Sequence, residues 1–320
     1  MWIARMVVVI TLLSVALTAP AQAWDSFGHM LVAYAAYQQL TPATQARVTA
    51  LVKLNPKYTE WDGWVPPGTA AAERDAIVFM IAATWADEIK SEPDYSTDGS
   101  HNGNRAEGSP NPMANEGYAD KLRHKYWHFV DTPFSKDGTP LPAIPTPNAQ
   151  DRIALFRSVL SSSDPDPLKS YDLVWLLHLV GDVHQPLHAT TRVSATDPEG
   201  DDGGNGVKLS CSGCPTVLHA YWDDAAGAGK SVQGTVKQAV AAAKKLPKSP
   251  ASLAAKSSEA DWVQESFQAA QDDVYKAPVG AGSGSFTLTT AYKSAATKLA
   301  RARIALAAAR LANLLNNELK

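Results

Sequence analysis

The chain has 320 residues, of which 45% are hydrophobic and 19% charged, with a formal net charge of −3. These values describe an ordinary soluble globule of one large domain or two small ones. They exclude nucleic-acid binding driven by an excess of Lys and Arg, so a polyanionic partner would need another source of positive charge.

At the amino terminus, Arg5 precedes an uncharged, mainly apolar run from Met6 to Ala19, interrupted only by Thr11, Ser14 and Thr18 and followed by Ala21-Gln22-Ala23. This is the small-x-small pattern of a signal-peptidase site, and the run is too short for a stop-transfer helix. Residues 1–23 are therefore expected to be an export signal and residues 24–320 a single domain. Cleavage after Ala23 would leave Trp24 as the first residue, five positions before His29. A free α-amine is a competent metal ligand once its proton is displaced. Export leads to the periplasm or the medium, with no membrane anchor left after maturation. The absence of any Asn-x-Ser/Thr sequon fits a bacterial protein.

Pro42 follows Thr41 in the tolerated first helical position, which predicts a helix over 41–54. A second is predicted over 69–89. Residues 92–119 are rich in Gly, Pro, Asn and Ser and read as a long loop. The aromatic stretch 125–130 fits a helix or a strand. Asn148 caps a helix to about 161, and Asp166-Pro167 opens another that Pro186 stops. Residues 203–218 combine β-branched residues with turn formers and form the best hairpin candidate. Helices over 261–275 and 287–319 complete a mainly α, single-domain reading with a small β-hairpin and no internal repeat.

Four of the eight histidines fall between His178 and His219. In His178-Leu-Val-Gly-Asp182-Val-His184-Gln-Pro-Leu-His188, a helix puts His178 and Asp182 on one face. The proline break then lets His188 approach from another direction. His219-Ala-Tyr-Trp-Asp223 repeats the spacing of four, and Asp87 and His128 lie upstream. Imidazole nitrogen with carboxylate oxygen suits zinc or a similar borderline metal rather than Ca²⁺ or Mg²⁺. The set is too large for one tetrahedral site and suits a cluster with a bridging carboxylate. Several divalent ions against three carboxylates leave a net positive locus, by which an acidic protein can hold phosphate.

Trp24, His29, Trp85-Ala-Asp87, His128-Phe-Val-Asp131, His178-x-x-x-Asp182-x-x-Gln-Pro-Leu-His188, Gly203-Gly204-Asn205 and Leu218-His-x-x-Trp-Asp223 occur in this order. Together they resemble the trinuclear-zinc, single-strand-specific nucleases of the S-one/P-one type. The resemblance implies one zinc held by Asp87, His128, His178 and Asp182, and a second by His188, His219 and Asp223. The third would take the Trp24 amine and carbonyl, His29 and the bridging Asp182. It also implies a helical fold and a monomer that hydrolyses RNA and single-stranded DNA to 5′-phosphorylated products. A 3′-nucleotidase activity and a metal-bridged hydroxide as nucleophile go with it. Phe129 would stack a base, with Asp131, Gly204 and Asn205 at the base edge, and Asp87, Lys90 and Asp182 in the catalytic group.

Lys90 stands where an arginine near the phosphate is usual; it keeps the charge but loses the bidentate fork, and a plain solvated lysine is the alternative. Asp202 stands where the fungal pattern has an apolar base contact. His184 reads as polar surface or as support for the ligands, and His101 and His124 as solvated. Cys211-Ser-Gly-Cys214 cannot close a tetrahedral site alone and is expected to be a small structural disulfide. Two rival functions remain: a zinc-dependent phospholipase C, which shares the ligand arrangement, and a non-catalytic periplasmic zinc-binding protein.

Overall fold

The computed structural model describes residues 24–99, 114–229 and 231–320. The helices are α1 (Ser26–Tyr37), α2 (Pro42–Val52), α3 (Tyr58–Gly63), α4 (Ala71–Ala82), α5 (Trp85–Glu88), α6 (Ala149–Leu160), α7 (Asp166–Asp182), α8 (Leu218–Asp223), α9 (Val232–Ala243), α10 (Ala251–Ala254), α11 (Glu259–Ala269) and α12 (Thr290–Glu318). The helical starts follow local chemistry. Asp25 accepts from the Gly28 N–H to cap α1, Thr41 caps α2 ahead of Pro42, and Asn148 with Asp151 forms a reciprocal capping box on α6. The expected export signal, the middle of the long loop and His101 lie outside the described residues.

α7 is the central element. Every residue from Lys169 to Asp182 is buried, because α1, α2, α6 and α12 pack around it. α1 packs in turn against α4, α9 and α12. Four tryptophans tie the core to the polar interior: Trp85, Trp127, Trp175 and Trp222 are almost fully buried. Trp175 meets Trp127 and Trp85 edge-on at 5.0 and 5.9 Å between centroids. Each of the four stands one to three residues before Asp87, His128, His178 or Asp223. The aromatic packing therefore fixes the segments that carry these polar side chains.

The mainly α architecture is as expected, but the strands are elsewhere. The two-stranded sheet is parallel, β1 (Pro133–Ser135) against β2 (Thr191–Val193), with Phe134 opposite Arg192. The expected hairpin over 203–218 shrinks to one antiparallel bridge, Lys208 with Val217, and Leu209 pairs instead with Phe286. The three successive left-handed residues Asp202, Gly203 and Gly204 curl the chain into a turn rather than a strand. Residues 125–130 resolve into a 3₁₀ turn, Lys125–His128, followed by extended chain. The single helix expected over 69–89 breaks after Ala82, where the Thr84 hydroxyl donates to the Ile81 carbonyl and competes with the helical ladder. α1, α3 and α9 escaped the sequence pattern; α1 is apolar on almost every face and buried at every position but Ser26 and Ala35, so it shows no amphipathic period. No helix among the described residues is long and apolar enough to cross a membrane.

Candidate metal centre

Four elements bring His and Asp side chains to one buried locus. α1 supplies His29, α5 Asp87, the 3₁₀ turn His128, and the last turn of α7 His178 and Asp182. Ligand atoms of His29, Asp87 and His178 lie within 4.8 Å of one another, as do those of His128, His178 and Asp182. A third group with the same spacing is His188, from the 3₁₀ turn Pro186–Ala189, with His219 and Asp223 from α8.

The helix break before α5 has a direct use here. It leaves the Ala83 carbonyl to accept from His178 Nδ1 at 2.8 Å. In the same way His188 Nδ1 donates to the His128 carbonyl and His219 Nδ1 to the Gly203 carbonyl, both at 2.8 Å. With Nδ1 as donor, each neutral ring turns the lone pair of Nε2 inward. The Nε2 atoms of His188 and His219 then face each other at 3.0 Å, and His178 Nε2 lies 3.0 Å from His128 Nδ1. In the His188–His219 pair both Nδ1 atoms are committed as donors, so two lone pairs face each other, and at this distance they repel unless a cation lies between them. A backbone carbonyl on the outer nitrogen is also the usual orienting partner of a metal-ligating histidine.

Asp182 spans two of the groups. Its Oδ1 lies 3.2 Å from His29 Nε2, and its Oδ2 lies 3.0 Å from His128 Nδ1 and 3.4 Å from His178 Nε2. Donors at about 2.0–2.2 Å from a tetrahedral zinc stand about 3.3–3.5 Å apart, and these separations run from a few tenths of an ångström below that range into it. Both nitrogens of His29, Asp87 Oδ2, His128 Nε2 and Asp182 Oδ1 are buried without a hydrogen-bond partner. Orphaned buried polar atoms are rare, and five in one locus fit a metal cluster.

Burial pushes the His29 imidazole down to about 4, against the opposing pull of Asp87. Burial likewise holds His128, His178 and His188 well below the ordinary histidine range. It pushes Asp182 and Asp223 well above the carboxylate range, with the neighbouring Asp87 adding to the effect on both. Neutral imidazoles suit a metal directly, whereas the carboxylates need a cation to ionise.

The remaining predicted residues surround this locus. Lys90 is not solvated: it is buried, and its ammonium lies 2.6 Å from Asp87 Oδ1. Phe129 is half-buried and stacks on the His188 ring at 4.7 Å. Asp131 is half-buried. Asn205 donates from Nδ2 to the Asp202 carbonyl, and the Gly204 N–H is taken by Asp201. Trp24 is buried, with its indole N–H donating to the Gly181 carbonyl at 3.0 Å. Cys211 and Cys214 form a disulfide in the turn between Leu209 and Thr216.

His124, expected in solvent, and His184, for which a surface position was one of two readings, are both interior. His184 is fully buried, Nδ1 donating to the Val180 carbonyl and Nε2 3.0 Å from Arg310. His124 is buried between Asp98 and Asp120, 2.7 Å from each, with its ring stacked on Trp127 at 3.4 Å. Asp98 lies near the start of the long loop, 26 residues before His124, so only the i,i+4 relation to Asp120 was visible in the sequence. Gln185, to which the sequence motif assigns no role, donates from its amide to Asp223 Oδ1 at 2.8 Å and fixes that carboxylate.

A family model described as S1/P1 nuclease matches residues 24–320. The chain is 26% identical over 247 residues to Endonuclease 4 of Arabidopsis thaliana, covering 70% of this chain and 60% of that protein. It is 39% identical over 51 residues to nuclease S1 of Aspergillus oryzae, covering 16% of this chain and 15% of that one.

Proposed function

We infer the activity from the premise that the chain belongs to the S1/P1 nuclease family, which makes it a hydrolase acting on nucleic acid, and we propose its substrates and metal. The reading is an exported enzyme that cleaves RNA and single-stranded DNA to 5′-phosphorylated products and removes phosphate from 3′-nucleotides. Three zinc ions would be held by Asp87, His128, His178 and Asp182; by His188, His219 and Asp223; and by His29 and Asp182 with the Trp24 amine and carbonyl. The amine is available only if residues 1–23 are removed, as the sequence pattern suggests. The observation that carries the reading is the inward-facing pair of Nε2 lone pairs on His188 and His219, 3.0 Å apart beside Asp223.

Bound zinc would supply a water nucleophile of lowered pKa and charge to offset the phosphate. The chain's own residues do the rest. Lys90 holds Asp87 by a short ion pair and adds a positive charge beside the reacting phosphate. Phe129 offers a partly open ring face for a base, a contact worth about 1–3 kcal/mol. Asp131 and Asn205 would bond the base edge. Selectivity for single strands follows because a stacked and paired base must be extracted before it reaches such a platform.

The test compares hydrolysis of single-stranded DNA, 3′-AMP and phosphatidylcholine by protein beginning at Trp24, before and after dialysis against a chelator and after zinc is restored. The first two substrates should be turned over, only with zinc. Turnover of the lipid without DNA cleavage would make the protein a phospholipase. Zinc uptake with no hydrolysis of any substrate would leave it a binding protein.

A further inference from the structure

We propose that Asp201 is the positioning residue of the 201–206 turn, setting through that turn both the His219 imidazole and the Asn205 amide. The second half of this statement rests on the nucleotide reading above; the first does not.

The turn cannot support itself. Asp202, Gly203 and Gly204 have φ of 55, 58 and 85°, three left-handed residues in succession. A non-glycine residue there is strained, and such a run persists only when its surroundings impose it. Gly203 has no room for a side chain: a Cβ would lie 2.5 Å from the Leu187 carbonyl and 3.3 Å from His219 Nδ1. The tight turn therefore abuts the 3₁₀ segment carrying His188 and the ring of His219 together.

Asp201 imposes the shape. It is 5% exposed. Its Oδ1 accepts from the Gly204 N–H at 3.2 Å, the Arg192 N–H at 3.0 Å and the Tyr275 hydroxyl at 3.0 Å. Its carbonyl accepts from the N–H groups of Gly204 and Gly206, and its N–H donates to the Arg192 carbonyl. Arg192 Nε lies 3.4 Å from Oδ2, and the guanidinium is itself pinned by the Gly280 and Gly282 carbonyls. A charge-assisted acceptor with three donors is stronger than any neutral replacement. One carboxylate thus ties strand β2 and the turn after α11 to the loop that faces the metal centre.

The outputs of the turn are two carbonyls. Gly203 O accepts from His219 Nδ1 at 2.8 Å and so decides where Nε2 points. Asp202 O accepts from Asn205 Nδ2 at 2.9 Å and so fixes the rotation of that amide. Partners that orient a ligating histidine typically change metal affinity about 10–100-fold when removed.

The experiment uses zinc-loaded full-length mature protein with Asp201→Ala, Asp201→Asn and Tyr275→Phe. It follows zinc release to a chromophoric chelator, together with KM for 3′-AMP and for bis(p-nitrophenyl) phosphate, which has no base. Asp201→Ala should release one zinc per chain about tenfold faster or more, leaving the others at the wild-type rate. Its KM for 3′-AMP should rise more than that for the base-free ester. Asp201→Asn keeps an oxygen for all three donors but loses the charge that faces Arg192, so its release rate should fall between those of Asp201→Ala and wild type. Release of all zinc together would overturn the proposal in favour of a general role in the fold, and unchanged release and KM would overturn it outright. If Asp201→Ala does not fold, Tyr275→Phe decides, faster release supporting the proposal and wild-type release ending it. If wild type fails on nucleotides but the zinc result holds, the nucleotide reading falls and the role of Asp201 toward His219 stands.

Discussion

Asp182 is the side chain on which most of the centre converges, because its two oxygens face different imidazoles, Oδ1 toward His29 and Oδ2 toward His128 and His178. Asp182→Ala should lower activity by more than the roughly 100-fold that even an orienting partner can cost. It should also lower zinc content below that of wild type. Metal analysis beside a nuclease assay checks both, and wild-type activity would remove Asp182 from the centre. The glycine before it is nearly as constrained. A Cβ at Gly181 would lie 2.9 Å from His29 Nδ1 and 3.2 Å from Cε1, so Gly181→Ala should displace the ring at a cost of about 1–3 kcal/mol. A thermal melt showing no loss would mean that His29 moves freely. At this scale much of the site was legible, because His178/Asp182 and His219/Asp223 advertise a shared face through spacing alone. The sequence left a solvated lysine open for Lys90 and a surface position open for His184, and it placed His124 in solvent; of these, the burial of His124 and His184 was hidden. Their partners, Asp98 for His124 and Arg310 for His184, come from segments that only the fold brings near.

Elements matter through what they hold still. α12 contributes nothing to the centre directly, yet it immobilises the turn between α7 and His188. Arg303 Nε donates to the His184 carbonyl, and Arg310 meets His184 Nε2. Ser266 on α11 reaches the Val183 carbonyl of the same turn. Glu265 is the counter-charge for both arginines, 2.8 Å from Arg310 Nη1 and 3.5 Å from Arg303 Nη1, with Lys256 at 2.9 Å. Burial pushes Arg303 down to about 10 even with Glu265 beside it. Glu265→Gln should therefore destabilise the protein by about 3 kcal/mol, since removing one partner strands buried guanidinium groups. Urea unfolding measures this, and a loss under about 1 kcal/mol would show the arginines adequately paired without it. The long Ala-rich helix itself was plain in the sequence; its task was not, because a stripe of Ala and Leu reads only as packing surface. The helical segments α6 and α7 were legible through their caps and prolines. The strands were not, since three-residue pairings between distant segments leave no alternating pattern.

The whole molecule carries an opposing electrostatic load outside the metal centre. Asp172 lies in the first half of α7, fully buried, with Oδ2 accepting from Asn115 at 2.9 Å and Oδ1 without a partner. Burial pushes its carboxyl up to about 8, outweighing the Asn115 hydrogen bond and nearby Arg152. The folded protein therefore keeps a proton there that the unfolded chain gives up near the ordinary value of 3.8. Between these two values the native state binds more protons, so stability falls as pH rises. The contribution is complete below about 4 and is lost as pH passes through about 8. Asp172→Asn removes the titration while keeping an oxygen for Asn115. Relative to wild type, its melting temperature should gain most at pH 9 and least at pH 5. Because Asp172 lies six residues before His178, zinc content should be the same in both proteins, and this separates the effect from metal loss. An advantage that is flat from pH 5 to 9, or larger at pH 5, would mean that Asp172 is ionised in the native state and that its neighbours stabilise the charge.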